Sequence, residues 1–370
     1  MGFSGIEAWL ALDLLPGVGR KTISKLVRTF GSAEAVWQNL DLLHSHCSWL
    51  RPSACRALQK GPDQNKLQQH RDFLKRPDAW AITIEDSAYP KLLTKIDDPP
   101  LILYGLGDLS CLKGPCVAVV GSRAATQYGK DAARRIAAGL VSKDFVVVSG
   151  LALGIDSEAH KSAIEHGGDT IAVKGCGLDY GYPRRNISLA KAIAQHGAVI
   201  SEFPLGVPPE PGHFPVRNRI ISGLCQAVVV VEGTMRSGSL VTAALALEQG
   251  REVGAVPGSI FSNRSKGAHW LIKNGAKLVS SADDIVEEIP EYFMGLQEES
   301  GEGQKNDPLD DFDLDPEEKK LLEILGPYPQ HLNEIAQAAG LEAHKASGLL
   351  VQMELKDLIQ SLPGQNYKRR

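Results

Sequence analysis

The chain has 370 residues, of which 43% are hydrophobic, and carries a formal net charge of −4. That length fits two or three globular domains, and the apolar content is enough for proper cores. No apolar run is long enough to cross a bilayer, Gly2-Phe3-Ser4-Gly5 does not open a signal peptide, and six cysteines without a C-x-x-C pair do not make a zinc ribbon. The expectation is a cytoplasmic protein with reduced, mostly buried thiols, no metal and no membrane insertion. The net charge is misleading about partners. Residues 287–323 hold 14 acidic and 3 basic residues, so the rest of the chain is net positive. The body is only mildly basic, so any nucleic-acid site must be local.

Residues 1–78 read as short helices. Ile6–Leu14 is an amphipathic run that stops at Leu15-Pro16-Gly17-Val18-Gly19, and Lys21–Phe30 is the next predicted helix. The turn resembles a helix-hairpin-helix. Its glycines would let backbone N–H groups approach a phosphate, with Arg20 and Lys21 adding charge. The alternative is a small helical domain for protein contacts, in which the glycines serve only the turn.

Residues 79–289 alternate strand and helix. Trp80–Ile84 and Leu101–Tyr104 are short lead-in strands, and Val117–Val120, Phe145–Ser149, Thr170–Lys174, Ala198–Glu202, Ala227–Glu232, Glu252–Val256 and Lys277–Ser280 follow. Near-continuous Val/Ile strands mean burial on both faces. The fold class predicted is α/β, a Rossmann-like doubly wound, mostly parallel sheet. Three of the strands end in Gly/Ser turns that lead into helices: Gly121-Ser122-Arg123, Ser149-Gly150, and Arg236-Ser237-Gly238-Ser239. The carboxyl ends of parallel strands share one edge, where helix N-termini attract anions. Several such turns with Arg123, Arg217, Arg219 and Arg236 nearby point to a polyanion laid across that edge.

Residues 290–315 form an acidic linker with few apolar anchors, predicted to be disordered. From 316 to 370 the order of helices, ending in a hairpin around Pro363-Gly364, suits a winged helix. Its third helix, 342–358, is not strongly basic: Lys345 and Lys356 face Glu342, Glu354 and Asp357. A protein contact is the expectation there, with Lys368-Arg369-Arg370 as the counter-argument.

The first βα turn lacks the further glycines of a dinucleotide fingerprint, and no G-x-x-x-x-G-K-[ST] occurs. What remains is a glycine for close approach, a hydroxyl and an arginine fork suited to phosphate, or simply a tight turn. Arg217-Asn218-Arg219 opens a predicted helical run Ile220–Leu224. Arginines in a first turn oppose the dipole, so they are there for a ligand or for a carboxylate such as Glu202 or Glu232. Ser237-Gly238-Ser239 fits a phosphate turn, but N-capping alone would account for its serines. Tyr182-Pro183-Arg184-Arg185 sets a ring beside two cations, as for an unpaired base with its phosphate; an ordinary exposed basic loop reads the same. Asp156 and His160 read as a helix-start residue with a packed partner, and His213 as structural.

Taken together, Val119-Val120-Gly121-Ser122-Arg123, Ser149-Gly150-Leu151-Ala152-Leu153-Gly154-Ile155-Asp156, Gly177-Leu178-Asp179, Phe214-Pro215-x-Arg217-Asn218-Arg219-Ile220-Ile221, Ser237-Gly238-Ser239-Leu240-x-Thr242-Ala243 and Val256-Pro257-Gly258 resemble the DprA (Smf) family of DNA-processing proteins. The resemblance covers the whole α/β region, and the flanking helical modules fit longer members. It implies a single-stranded DNA binder without catalytic residues or cofactor. Such a protein protects incoming strands in natural transformation, helps load RecA on strands covered by single-strand-binding protein, and dimerises through the Rossmann-like domain. Gly121, Ser122 and Arg123 match the family's DNA-contacting turn, and Arg217, Asn218 and Arg219 its second basic motif. Ser149, Gly150, Arg184, Arg185, Ser237, Gly238 and Ser239 complete the expected site, with bases splayed near Tyr182 and Phe203. Lys174 departs from the family's apolar residue, which leaves open a further DNA contact. The rival class is a nucleotide-cleaving enzyme on a related scaffold, but the Pro-Gly-Gly-x-Gly-Thr turn and following glutamate of such enzymes are not found here.

Overall fold

The computed structural model describes residues 3–289 and, from 315 to 369, all but 316, 317, 319, 322, 323, 326–329, 356–358 and 363. The predicted linker, Asp315 apart, lies outside the described residues. Contacts divide the chain into Met1–Met294 and Gly295–Arg370.

Nine strands build the sheet of the first unit: β1 (Ala79–Thr83), β2 (Ile102–Gly107), β3 (Cys116–Val120), β4 (Val146–Ser149), β5 (Thr170–Lys174), β6 (Gly197–Ser201), β7 (Ala227–Val230), β8 (Glu252–Ala255) and β9 (Lys277–Leu278). Their order is β1-β2-β6-β5-β4-β3-β7-β8-β9. From β6 to β9 across the sheet the strands are parallel, while β2 runs antiparallel to β6 and to β1. The chain winds outward from β3 to β6, then crosses back to β7 on the other side of β3. That reversal makes the carboxyl ends of β3 and β7 a topological switch point, where open α/β sheets leave a crevice.

The valine strands are buried on both faces, as their composition predicts. Val117 and Val119 pack with Ile136, Leu140 and Ile155 from helices Gln127–Val141 and Ile155–Glu165. Ala118 and Val120 pack with Ile220, Leu224 and Ala243 from helices His213–Leu224 and Gly238–Glu248. The helix carrying the second basic motif therefore starts seven residues before Ile220, and Arg217 is not in its first turn. The reason is Pro215. It sits third in the helix, where its missing N–H breaks no hydrogen bond, so it opens the helix rather than ending a loop. All six cysteines are buried and unpaired. No described helix is long and apolar enough to cross a membrane.

The N-terminal helices share a core with the sheet. Trp9, Leu12 and Leu26 belong to the same buried cluster as Tyr104 of β2 and Val199 of β6. Residue 78 thus marks a change of architecture and not a gap in packing. The hairpin cation Arg20, a candidate phosphate contact only in the helix-hairpin-helix reading, is held by carboxylates of the α/β region: it pairs with Glu202 and, at 2.7 Å, with Asp98. Beside it Tyr104 Oη donates to Asp13 Oδ2 at 2.8 Å.

Burial lifts the Asp13 carboxyl to about 6, although the Tyr104 hydrogen bond opposes the shift. A carboxyl raised by folding binds its proton more tightly in the folded state, so its stabilising contribution is complete below its ordinary value near 3.8 and disappears as pH rises through about 6. Stability should therefore fall across that window in the wild type, and Asp13→Asn should flatten that segment of the curve. Denaturant melts of both proteins from pH 4 to 8 check this; parallel curves would remove Asp13 as the cause.

The second unit is a small module with its own core, built from Leu332, Ile335, Leu350, Met353, Ile359 and Tyr367. Helices Leu332–Ala339 and Ala343–Leu355 are joined by a left-handed Gly340. They accompany a three-stranded sheet of Gln330–His331, Asn366–Arg369 and Ile359–Leu362, in that order. The last two strands form the wing hairpin.

Candidate nucleic-acid interface

A cleft of about 90 Å³ opens at the carboxyl ends of β4 and β5, and its walls include Arg123, Gly150, Lys174, Tyr182, Phe214 and Arg217. The turn after β3 brings Arg123, which is exposed and whose Cζ stands 5.4 Å from the Phe214 ring centre. Phe214 and Arg217 share a helix face because they are three residues apart. The Tyr182 ring lies 5.5 Å from that of Phe214.

Arg217 is 4% exposed. Its Nη1 donates to the carbonyls of Gly150, at 2.9 Å, and Val173, and its Nε to Asn218 Oδ1 at 3.1 Å. Three of the five guanidinium N–H groups are used in this way, and Nη2 has no protein acceptor among the described residues. Burial lowers the Arg217 pKa to about 10; Asp156 opposes the shift and the like charge of Arg123 adds to it. Arg217 remains charged at neutral pH, and the two arginines repel each other across the cleft.

Asp156 holds the floor together. Its buried carboxylate accepts from the amides of Gly121, Gly150 and Ala152. Gly150 must be glycine, since a Cβ there would stand 2.6 Å from Arg217 Nη2 and 2.9 Å from Asp156 Oδ2. The next residue, Leu151, has φ +58, a left-handed conformation that L side chains rarely adopt. Asn186 fastens this turn: its Nδ2 donates to Leu151 O at 2.8 Å and to Ser157 Oγ at 2.9 Å. Tyr182–Asn186 is thereby braced against the β4 turn, with Arg184 and Arg185 exposed beside it.

Several expected site residues have other duties. Ser149 is fully buried and donates to Val119 O at 2.7 Å, so its hydroxyl does not reach the edge. Arg219 forms a bidentate pair with Glu202, at 3.1 and 2.6 Å, and faces away from the cleft. Two residues along a helix turn the side chain by about 200°, so Arg217 and Arg219 cannot serve one ligand together. Phe203, expected beside the bases, stacks on His213 at 4.4 Å; Phe214 is the ring in the cleft. Ser122 Oγ accepts from Ala124 N at 3.2 Å within its turn. Ser237 caps its helix and lies 2.8 Å from Ser239 Oγ, while Gly238 between them is exposed. Asn218 Nδ2 reaches Gly238 O at 3.4 Å and so links this turn to the Arg217 helix.

Lys174 contributes its position rather than a free charge. Its ammonium group donates to the carbonyls of Gly177, Leu178 and Tyr180 at 3.3, 3.4 and 2.6 Å, which uses all three N–H groups. Glu232, expected to pair with an arginine, accepts from Thr126 N at 2.9 Å and Thr126 Oγ1 at 2.5 Å. It lies against Gly129, where any side chain would collide with its carboxylate. The protein's own carboxylate therefore occupies the first helix N-terminus, the seat of a dinucleotide pyrophosphate in Rossmann folds. His160, fully buried, makes a 2.7 Å hydrogen bond through Nδ1 with Thr170 Oγ1, and burial holds its pKa down to about 3. It is a neutral packed residue.

A doubly wound sheet with an arginine-lined, aromatic-walled cleft at its carboxyl edge defines a Rossmann-like α/β domain, and the chain carries a winged helix as well. The family profile described as DNA recombination-mediator protein A matches residues 80–290, and that of the DprA winged helix domain matches residues 305–365. The chain belongs to the DprA (Smf) family of DNA-processing proteins. It is 48% identical over 219 residues to the DNA processing protein DprA of Streptococcus pneumoniae, covering 59% of this chain and 76% of that one. It is also 34% identical to the Smf protein of Synechocystis, over 98% of both chains. The X-ray structure of the S. pneumoniae protein superposes with a TM-score of 0.68 at 39% identity, covering 78% of this chain and 99% of that one. The Helicobacter pylori protein, described by its single-stranded DNA binding mode, superposes with a TM-score of 0.52 at 31% identity, over 57% of this chain and 96% of its own.

Proposed function

We propose that the cleft binds single-stranded DNA and that the protein is a recombination mediator, not an enzyme. The observation that carries this reading is Arg123 set against the Phe214 ring beside a half-engaged Arg217. A phosphate between the two arginines relieves their repulsion, and an adjoining base can stack on Tyr182 or Phe214. Duplex bases are already stacked on one another, so the rings favour unpaired strands. Exposed Arg184, Arg185 and the Gly238 turn extend the basic edge on either side. The H. pylori relative's single-stranded DNA binding supports the same assignment. In this reading the protein shields incoming strands in natural transformation, loads RecA on strands covered by single-strand-binding protein, and works as a homodimer. Binding to single-stranded and duplex DNA of equal length over a salt series tests the core of it. A single-strand preference that persists as salt rises is expected, and equal affinities would overturn it. Faster RecA assembly on covered strands tests the mediator role, which fails if the rate does not change.

The enzyme alternative has few groups left to use. The carboxylates at this edge are in use: Glu202 is engaged by Arg20 and Arg219, Glu232 by Thr126, and Asp156 by the amides of the cleft floor. Pure protein should leave ATP, NAD and nucleoside monophosphates intact, with or without magnesium. Turnover abolished by Glu232→Gln while DNA binding persists would reinstate the enzyme.

Lys174→Met should weaken single-strand binding by loosening the Gly177–Tyr180 turn below Tyr182. The slope of log affinity against log salt should stay unchanged, because no phosphate contact is lost. A slope reduced as much as in Arg184→Ala would make Lys174 a direct ligand.

A further inference from the structure

We infer a second single-strand contact, resting on the DNA-binding reading above: the Ile260–Phe261 tip of the loop after β8, with Arg236, Arg264 and Lys266 around it. Phe261 is 92% exposed and Ile260 76%. The loop that presents them is closed on itself and on its neighbour. Ser262 N donates to Ser259 O at 3.0 Å, and Gly233 N donates to Arg264 O at 2.7 Å. Gly267 N returns a bond to Gly233 O at 2.8 Å. The aromatic side chain is therefore held out by a braced turn and not by a loose one.

Position and charge together select the occupant. Gly233 precedes the turn Thr234–Ser239, whose Gly238 carbonyl is tied to Asn218 on the Arg217 helix. The segment 233–239 thus lies between the Arg217 helix and the loop that carries Phe261, tied to each by a hydrogen bond. Residues 253–282 contain no Asp or Glu, and neither do residues 233–247. An exposed ring on a loop that carries Arg264 and Lys266 matches a base-stacking platform beside a phosphate track; Glu232, which shares a cavity wall with Ser259, Ser262 and Ser265, is already engaged by Thr126. A strand long enough to leave the cleft would reach it; a strand that only fills the cleft would not.

Length dependence tests the inference. The full-length protein, Phe261→Ala and Arg264→Ala are titrated by fluorescence anisotropy with a ladder of oligothymidylates, and each variant's self-association is measured by sedimentation. Phe261→Ala should match the wild type on the shortest strands that bind and lose about fivefold or more on long ones. Arg264→Ala should lower the salt slope by about 0.7 on long strands only. Equal losses at every length, or no loss at any, would overturn the second contact. A Phe261→Ala protein that no longer self-associates would assign the tip to a second copy of the chain and overturn it as well. If the wild type binds no oligomer of the ladder, the DNA-binding reading itself fails.

Discussion

Replacing Arg217 by alanine should destabilise the α/β unit by about 2–4 kcal/mol, because the change leaves two buried carbonyls without their donor. Asp156 would lose its compensating cation, and the carbonyls of Gly150 and Val173 would lose their donor. A cavity would open beneath the β4 turn, where Gly150 and Leu151 are already shaped around the guanidinium. Arg217→Lys should be intermediate: it keeps the charge but cannot fork to two carbonyls and Asn218. Thermal or denaturant melts check this, and the double variant Arg217→Ala with Asp156→Asn should recover part of the loss, since it removes both charges. A single variant that melts like the wild type would mean that the network does not hold the turn. DNA affinity should also fall in Arg217→Ala, but that loss cannot be credited to a phosphate contact until the stability change is known.

This double duty marks where the sequence stopped being readable. The near-continuous valines of β3, β4 and β7 announce burial on both faces, and the sheet follows from them. The turns after these strands are equally plain, because glycine and serine between an apolar run and a helix have few other uses. What a turn residue does with its side chain is less local. Ser149 looks like a phosphate donor until β3 is placed beside β4 and offers it the carbonyl of Val119. Arg217 and Arg219 look like one motif because only Asn218 separates them in sequence. The register of a helix separates them, and that register depended on whether Pro215 opens the helix or precedes it. Counting the helix from His213 would have put Phe214 on the Arg217 face and revealed the cleft's aromatic wall. Glu232 and Lys174 carry no such signal. Their partners, Thr126 and the carbonyls of Gly177, Leu178 and Tyr180, are set by tertiary placement and by a backbone turn.

Arg123→Ala should show the opposite pattern to Arg217→Ala, and the contrast tests the division of labour within the cleft. Arg123 is exposed, and its recorded contact is with the Phe214 ring. Its removal should change stability by no more than about 0.5 kcal/mol, the usual range for a surface substitution. Single-strand affinity should nevertheless fall about tenfold, from a lost charge-assisted contact worth about 1.5–3 kcal/mol less what water restores. The salt slope should drop by about 0.7, the share of one phosphate on a single strand. Removing Arg123 also relieves the like-charge repulsion that lowers the Arg217 pKa, so in the absence of DNA the variant could be marginally more stable than the wild type. Such a trade, tighter folding against weaker binding, is characteristic of a charge placed for a ligand. Melting and binding measured on one preparation decide the matter: an unchanged affinity and slope would remove the β3 turn from the site, and a loss of stability comparable to that of Arg217→Ala would make Arg123 a structural residue.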